Sequence, residues 1–173
     1  MRSYATLENN SILARAAIAR RPLGHARGMA SPMTGKLAVL LVEDNPADVF
    51  LVEEAIKEHQ LPVHLVVVED GEAAIRFLER ANVETDTVPR AVVLDWNLPR
   101  RSGSEVLQHL RTSTSFADIP VIVFTSSDSR WDRELAAQLG ATRYFRKSAD
   151  FDEFMEIGNV LEEILRTKRP CSA

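Results

Sequence analysis

Cysteine is almost missing from this chain: Cys171 is the only one in 173 residues. A single thiol makes neither an internal disulfide nor a thiolate metal cluster, which suits a reducing cytoplasm. Its place, third from the end, also misses the fourth-from-last position of a prenylation signal. Long apolar runs are missing too. Nowhere do about 18 apolar residues follow one another, so no membrane span is expected. The one apolar patch near the start, Ala16 to Ala19, is bracketed by Arg15 and Arg20 and lacks the core of a signal peptide. Nor does the body of the chain carry a basic stripe. The formal charge is -4, but residues 1 to 35 hold five arginines and one acid, Glu8, leaving 16 basic and 24 acidic groups beyond them. So acidic a body argues against nucleic acid as a partner. Repeats and low-complexity tracts are absent.

What is present divides into a leader and a patterned body. Residues 1 to 35 are Arg-rich, broken by Pro22, Gly24, Gly28, Pro32 and Gly35, and read as a flexible leader, with room for a short helix near residues 5 to 20. A translation start placed upstream of Met29 or Met33, an Arg-rich targeting peptide and a partner-binding arm are the other readings of that segment. The body spans residues 36 to 167, and the 45% hydrophobic content of the whole chain suffices for one buried core. Residues 168 to 173 read as a tail.

Within the body, short runs rich in Val, Leu and Ile alternate with segments of helical period. Strands are predicted at Leu37 to Val42, Val63 to Val68, Ala91 to Leu94, Pro120 to Phe124 and Thr142 to Phe145. Helices between them bury Val49, Val52 and Ile56; Ala74, Phe77, Leu78 and Ala81; Val106, Leu107 and Leu110; Leu135, Ala136 and Leu139. A last helix carries Phe154, Ile157, Leu161, Ile164 and Leu165, and Asp150 with Glu153 has the spacing of a capping box. Asn45 before Pro46 reads as a helix start and Gly140 as a helix stop. Strict β-α alternation predicts an α/β fold, a doubly wound parallel sheet covered on both faces. In the flavodoxin-like order 2-1-3-4-5 the first and third strands are neighbours.

Chemistry is expected at the carboxyl ends of those strands. Glu43 and Asp44 end the first apolar run, Asp95 the third, Thr125 and Ser126 the fourth, and Lys147 follows the fifth. Three carboxylates brought that close repel one another unless a proton or a cation intervenes. Oxygen ligands without nearby His or Cys fit magnesium, which takes one or two carboxylates plus a phosphate oxygen. Asp95 has the character of a nucleophile, since a carboxylate forms an acyl phosphate. Lys147, the Thr125 hydroxyl and the Ser126 N–H would then neutralise the oxygens of the arriving group.

These residues carry a family resemblance. Val42-Glu43-Asp44-Asn45, Asp95-Trp96-Asn97-Leu98-Pro99 with Gly103, Thr125-Ser126 and Lys147 resemble the receiver domain of two-component response regulators, over about residues 36 to 167. Glu-Asp-Asn-Pro-Ala-Asp at 43 to 48, Leu-Pro-Arg at 98 to 100 and the loop at 82 to 90 are similar to the small phytochrome-associated regulators. The resemblance implies that Asp95 accepts a phosphoryl group from a phosphohistidine of a sensor histidine kinase, with a bacteriophytochrome among the candidates. It implies magnesium held by Asp44, Asp95 and the Asn97 carbonyl, with Glu43 acting through a bound water. Thr125 would move toward the phosphoryl group and Tyr144 would turn inward, altering a face that includes Trp131, Arg143 and Phe145. The chain departs from the family at Ser148, where a proline after a cis bond is usual. A cis bond costs roughly 2.5 to 4 kcal/mol before other residues, against about 0.5 to 1 before proline. Lys147 is therefore the least constrained member of the site.

Only Thr167 to Ala173 follow the last helix, so the chain is expected to act as a stand-alone receiver that signals through a partner or a homodimer in the cytoplasm. The alternative is a phosphohydrolase working through an aspartyl phosphate. Such enzymes usually need a second Asp two places after the nucleophile, and this chain has Asn97 there.

Overall fold

The computed structural model describes residues 37–81 and 88–167. The leader over residues 1 to 35, the tail over 168 to 173 and most of the 82 to 90 loop lie outside the described residues. Five strands, β1 (Leu37–Val42), β2 (Val63–Val68), β3 (Ala91–Asp95), β4 (Val121–Thr125) and β5 (Arg143–Arg146), form one sheet in the order β2-β1-β3-β4-β5. All four pairings are parallel. Connecting them are α1 (Pro46–Glu58), α2 (Gly71–Arg80), α3 (Gly103–Thr112) and α4 (Arg130–Gln138), followed by α5 (Phe151–Met155) and α6 (Ile157–Thr167). None of these helices is long and apolar enough to cross a membrane.

Period-2 alternation along the central strands sends side chains to opposite faces, so the sheet has two cores. Leu40, Val42, Val92, Leu94, Val121 and Val123 pack with Leu78 of α2, Val106, Leu107 and Leu110 of α3 and Ala136 of α4. Val39, Leu41, Ala91, Val93, Ile122 and Phe124 pack on the other side with Val52 and Ala55 of α1, Phe154 of α5 and Ile157, Leu161 and Ile164 of α6. Each buried Leu or Ile contributes about 1.5 to 3 kcal/mol. Phe124 meets Phe154 edge-on at 5.4 Å between ring centres.

Local signals explain most boundaries. The Asn45 side chain accepts the Ala47 N–H at 3.0 Å, and Pro46 opens α1 without an N–H to satisfy. Gly140 stands at φ +83, the left-handed turn that ends α4. Strands β3, β4 and β5 each run one residue beyond the expected end, because ladder pairing continues through Asp95 opposite Phe124 and Thr125 opposite Arg146.

Two expectations are corrected. The last helix is not continuous: Glu156 forms a turn between α5 and α6. Two residues on, Gly158 meets the His59 ring so closely that a Cβ would lie 2.2 Å from its Cδ2, a distant contact that helical periodicity does not report. At the start of α5, Asp150 does accept the Glu153 N–H at 3.1 Å, but the reciprocal half of the capping box is missing. Ser148 takes its place, accepting the Asp150 N–H at 3.1 Å and donating to the Glu153 carboxylate at 2.6 Å. The complete capping box belongs to Ser102 and Glu105 at the start of α3.

On the face of the fold opposite the carboxyl edge, Arg111 near the end of α3 gathers three carbonyls. It donates to Gly140 O at 2.8 and 3.1 Å and to Ala117 O and Ile119 O at 3.0 Å each. Burial lowers its pKa from the ordinary arginine value, opposed by the charge of Asp118.

Candidate functional site

Parallel strands all end at one edge, and that edge collects the polar residues. Glu43 continues the β1 ladder by donating its N–H to Val68 O at 3.0 Å, which turns its carboxyl inward to 1% exposure. Asp95 and Thr125 close β3 and β4 and are buried. Lys147 leaves β5 with its N–H on Thr125 O at 2.7 Å. Gly103 lets α3 begin against the end of β3, since a Cβ there would sit 2.3 Å from Asp95 O and 2.8 Å from Trp96 Cα.

The three ammonium protons of Lys147 match three carboxylates. Nζ lies 2.7 Å from Glu43 Oε2, 2.9 Å from Asp48 Oδ2 and 2.9 Å from Asp95 Oδ2. It also stands 4.7 Å from the centre of the Phe124 ring, within reach of a cation-π attraction. Burial alone would lower the lysine pKa, but the hydrogen bonds it donates to Glu43, Asp95 and Asp48 outweigh it and hold the value above the ordinary one. For Glu43 burial wins: its carboxyl is pushed up to about 7 although Lys147 pulls the other way. Both bonded partners are shifted upward, for different reasons: Glu43 is dehydrated and faces Asp95, while Lys147 shares three acids.

Oxygens of Glu43, Asp44 and Asp95 lie within 4.8 Å of one another, with Asp44 exposed and the other two buried. An all-oxygen donor set, crowded enough to draw in an ammonium, has the chemistry to hold a hard divalent ion. The second oxygen of Asp95 accepts the Asn97 N–H at 3.0 Å, and Asn97 Nδ2 approaches Thr125 Oγ1 at 3.4 Å. Thr125 Oγ1 accepts the Ser127 N–H at 3.1 Å, which leaves its neighbour Ser126 exposed at the mouth. Glu43, Asp44, Asp95, Asn97, Thr125 and Lys147 thus converge as the sequence predicts. Lys147 points at Asp95, although serine follows it.

Tyr144 stands farther out on β5. Its hydroxyl donates to Ser127 O at 3.1 Å and the Arg133 guanidinium lies 4.8 Å from its ring centre. Burial and the nearby Asp132 charge raise its pKa. The Ser127 hydroxyl in turn donates to Asp132 Oδ2 at 2.6 Å. On the surface beyond, Trp131 is 71% exposed and Arg143 pairs with Glu163.

Two contributors were not singled out from the sequence. Asp48 reads as a favourable acid in the first turn of a helix, and only the fold shows that it bonds Lys147. Asp70 caps α2 by accepting the Ala73 N–H at 2.7 Å and pairs with Arg100, which takes a left-handed φ of 67. This pair binds the loop after β3 to the start of α2. An acid in a helix-cap position just before Gly71 was the available signal, but its partner lies 30 residues away.

Comparison with known proteins agrees with this arrangement. Response regulator Rcp1 of Synechocystis sp. is 33% identical over 125 residues, 72% of this chain and 85% of Rcp1. The phosphorylated cyanobacterial phytochrome response regulator RcpA superposes with a TM-score of 0.71 at 32% identity, covering 79% of this chain and 99% of RcpA. The Mn(2+)-bound form of Rcp1 gives a TM-score of 0.69 at 30% identity, again covering 79% and 99%. Residues 39–158 match the response regulator receiver domain, and the chain belongs to that family, whose members accept a phosphoryl group in two-component signalling.

Proposed function

We propose that Asp95 is the phosphoryl acceptor and that Glu43, Asp44, Asp95 and the Asn97 carbonyl hold Mg2+ beside it. The observation that carries this reading is the state of the Asp95 carboxylate: buried at a strand end, one oxygen on Lys147 and the other on the Asn97 N–H. Held that way, an Asp95 oxygen attacks the phosphorus of a phosphohistidine on a sensor histidine kinase. The P–N bond breaks and its electron pair leaves with the imidazole. Mg2+, when bound, neutralises one phosphoryl oxygen. Lys147 pairs with the second, and the Thr125 hydroxyl and Ser126 N–H take the third. Positioning and charge neutralisation suffice for such a transfer.

Asn97 supplies no acid or base two places after Asp95, which disfavours a phosphohydrolase. The protein is then not an enzyme in its own right, beyond its autocatalysed acceptance and slow loss of the phosphoryl group. Similarity to RcpA and Rcp1 supports a phytochrome-type kinase as donor, in the cytoplasm. Thr125 and Tyr144 form the switch: Thr125 moves onto the phosphoryl group, Tyr144 turns in behind it, and the surface with Trp131, Arg143 and Phe145 passes the change to a partner or a second copy. Acetyl phosphate with Mg2+ is expected to add one phosphoryl group to the native chain and none to Asp95→Asn, read by intact mass. Equal labelling of both would remove the assignment. Rapid turnover of a phosphate ester would restore the phosphohydrolase.

A further inference from the structure

Of the four groups around the Lys147 ammonium, two belong to the proposed cation seat and two do not. Glu43 and Asp95 are seat residues, whereas Asp48 comes from the first turn of α1 and the Phe124 ring from β4. A divalent ion drawn onto Glu43 and Asp95 competes for the oxygens that bind the ammonium. Lys147, nine-tenths buried, then needs another acceptor or it becomes an unpaired charge next to a metal. Asp48 Oδ2, at 2.9 Å, is that acceptor.

From the Asp48–Lys147 contact, we infer that Asp48 is a positioning residue: it retains the Lys147 ammonium at the rim of the site when a divalent cation takes over Glu43 and Asp95. The inference rests on the proposed cation seat and adds a residue to it. It explains how Lys147 stays within reach of a phosphoryl oxygen without blocking the metal. Asp48 reaches Lys147 from the α1 side and the Phe124 ring supports the ammonium from β4, so the head group stays beside Asp95 after losing two of its three acceptors. A plain first-turn acid would act on the helix dipole and the general field alone, and its effect would not depend on Lys147.

That difference defines the test. In a Trp131→Phe background the buried Trp96, next to Asp95, is the one tryptophan left to report Mg2+ binding by fluorescence. Titration with MgCl2 is expected to show affinity weakened roughly five- to tenfold in Asp48→Ala, the scale of one partly buried charge pair. Asp48→Asn, which keeps an oxygen acceptor and the side-chain shape, should fall between Ala and the native residue. In Lys147→Met, where no ammonium needs a place, Asp48→Ala should change the affinity by less than about twofold, the residue of general electrostatics. The same loss in both backgrounds would overturn the inference, as would unchanged affinity in Asp48→Ala and Asp48→Asn. Because the readout needs no phosphoryl transfer, Asp48 can fail while Asp95 labelling holds. No Mg2+ response in the parent would remove the seat and the inference together.

Discussion

Replacing Lys147 by Met tests the electrostatics of the site most directly, since the two side chains are of similar length and only the charge and its three bonds are lost. Lys147, Glu43, Asp48 and Asp95 have side-chain exposures of 10, 0, 17 and 8%. Breaking an ion pair buried to that extent costs about 3 to 5 kcal/mol, because the partner charge stays behind uncompensated. For a body of this size that corresponds to a fall in melting temperature of roughly 10 to 20 °C in EDTA at pH 8. Mg2+ should recover much of it: at a concentration a hundred times the dissociation constant a ligand contributes about 2.7 kcal/mol. Recovery should exceed the effect on the parent, where the ammonium competes for the same oxygens.

The pH dependence of this variant has a definite sign. Folded Glu43 keeps its proton up to about 7, against 4.5 for the free group, so the folded state binds more protons between those values. Stability from neutral Glu43 is complete below 4.5 and is lost as pH rises through about 7. Lys147 holds the Glu43 value down, so its removal extends that loss to higher pH. The penalty for Lys147→Met should therefore be smaller at pH 5.5 than at pH 8, and still growing at pH 9. Calorimetric melts across this range in EDTA and in MgCl2 give the measurement. A variant melting within about 2 °C of the parent in EDTA at pH 8 would refute a buried, charged arrangement.

Other sites give independent checks. Arg111→Ala strips donors from Gly140, Ala117 and Ile119, and urea melts should show a loss of roughly 2 to 4 kcal/mol with little change in Mg2+ affinity. Gly103→Ala forces a Cβ against Asp95 O and Trp96 Cα, backbone atoms that cannot yield singly, so both thermal stability and Mg2+ binding should fall. Arg100→Gly relieves a left-handed residue while losing a half-exposed partner, and should lie within about 1 kcal/mol of the parent in urea. Asp70→Ala loses the helix cap as well as the pair and should cost about 2 kcal/mol or more by the same measurement.

The strand order and the convergence of Glu43, Asp44, Asp95, Thr125 and Lys147 were legible in the sequence because each residue directly follows or ends an apolar run. Parallel topology does the rest, bringing every run's end to one edge. Asp48, Arg100 and Arg111 were not legible. Each sits where a local reading finds a solvated helix or loop residue, and its partner is supplied by distant chain: Lys147, Asp70, and the carbonyls of Ala117, Ile119 and Gly140. The break at Glu156 and the close approach of Gly158 to His59 were not legible either, since neither leaves a mark on the apolar periodicity. Ser148 was legible as a departure from the family, but its role as a bridge between Asp150 and Glu153 follows from the geometry of the turn.

The ion cage around Lys147 also bears on the order in which the protein assembles. Glu43 and Lys147 are 104 residues apart, and the ammonium enters on β5, the last strand both in sequence and at its edge of the sheet. During synthesis the acids of β1, α1 and β3 emerge well before this counter-charge, so the contact between them is non-local and is made late. Early intermediates with β1 and β3 paired would thus gather uncompensated carboxylates, a penalty that disfavours the compact state until β5 docks. Docking of the final strand then both completes the sheet and discharges that repulsion, so the chemistry of the site appears together with the finished fold.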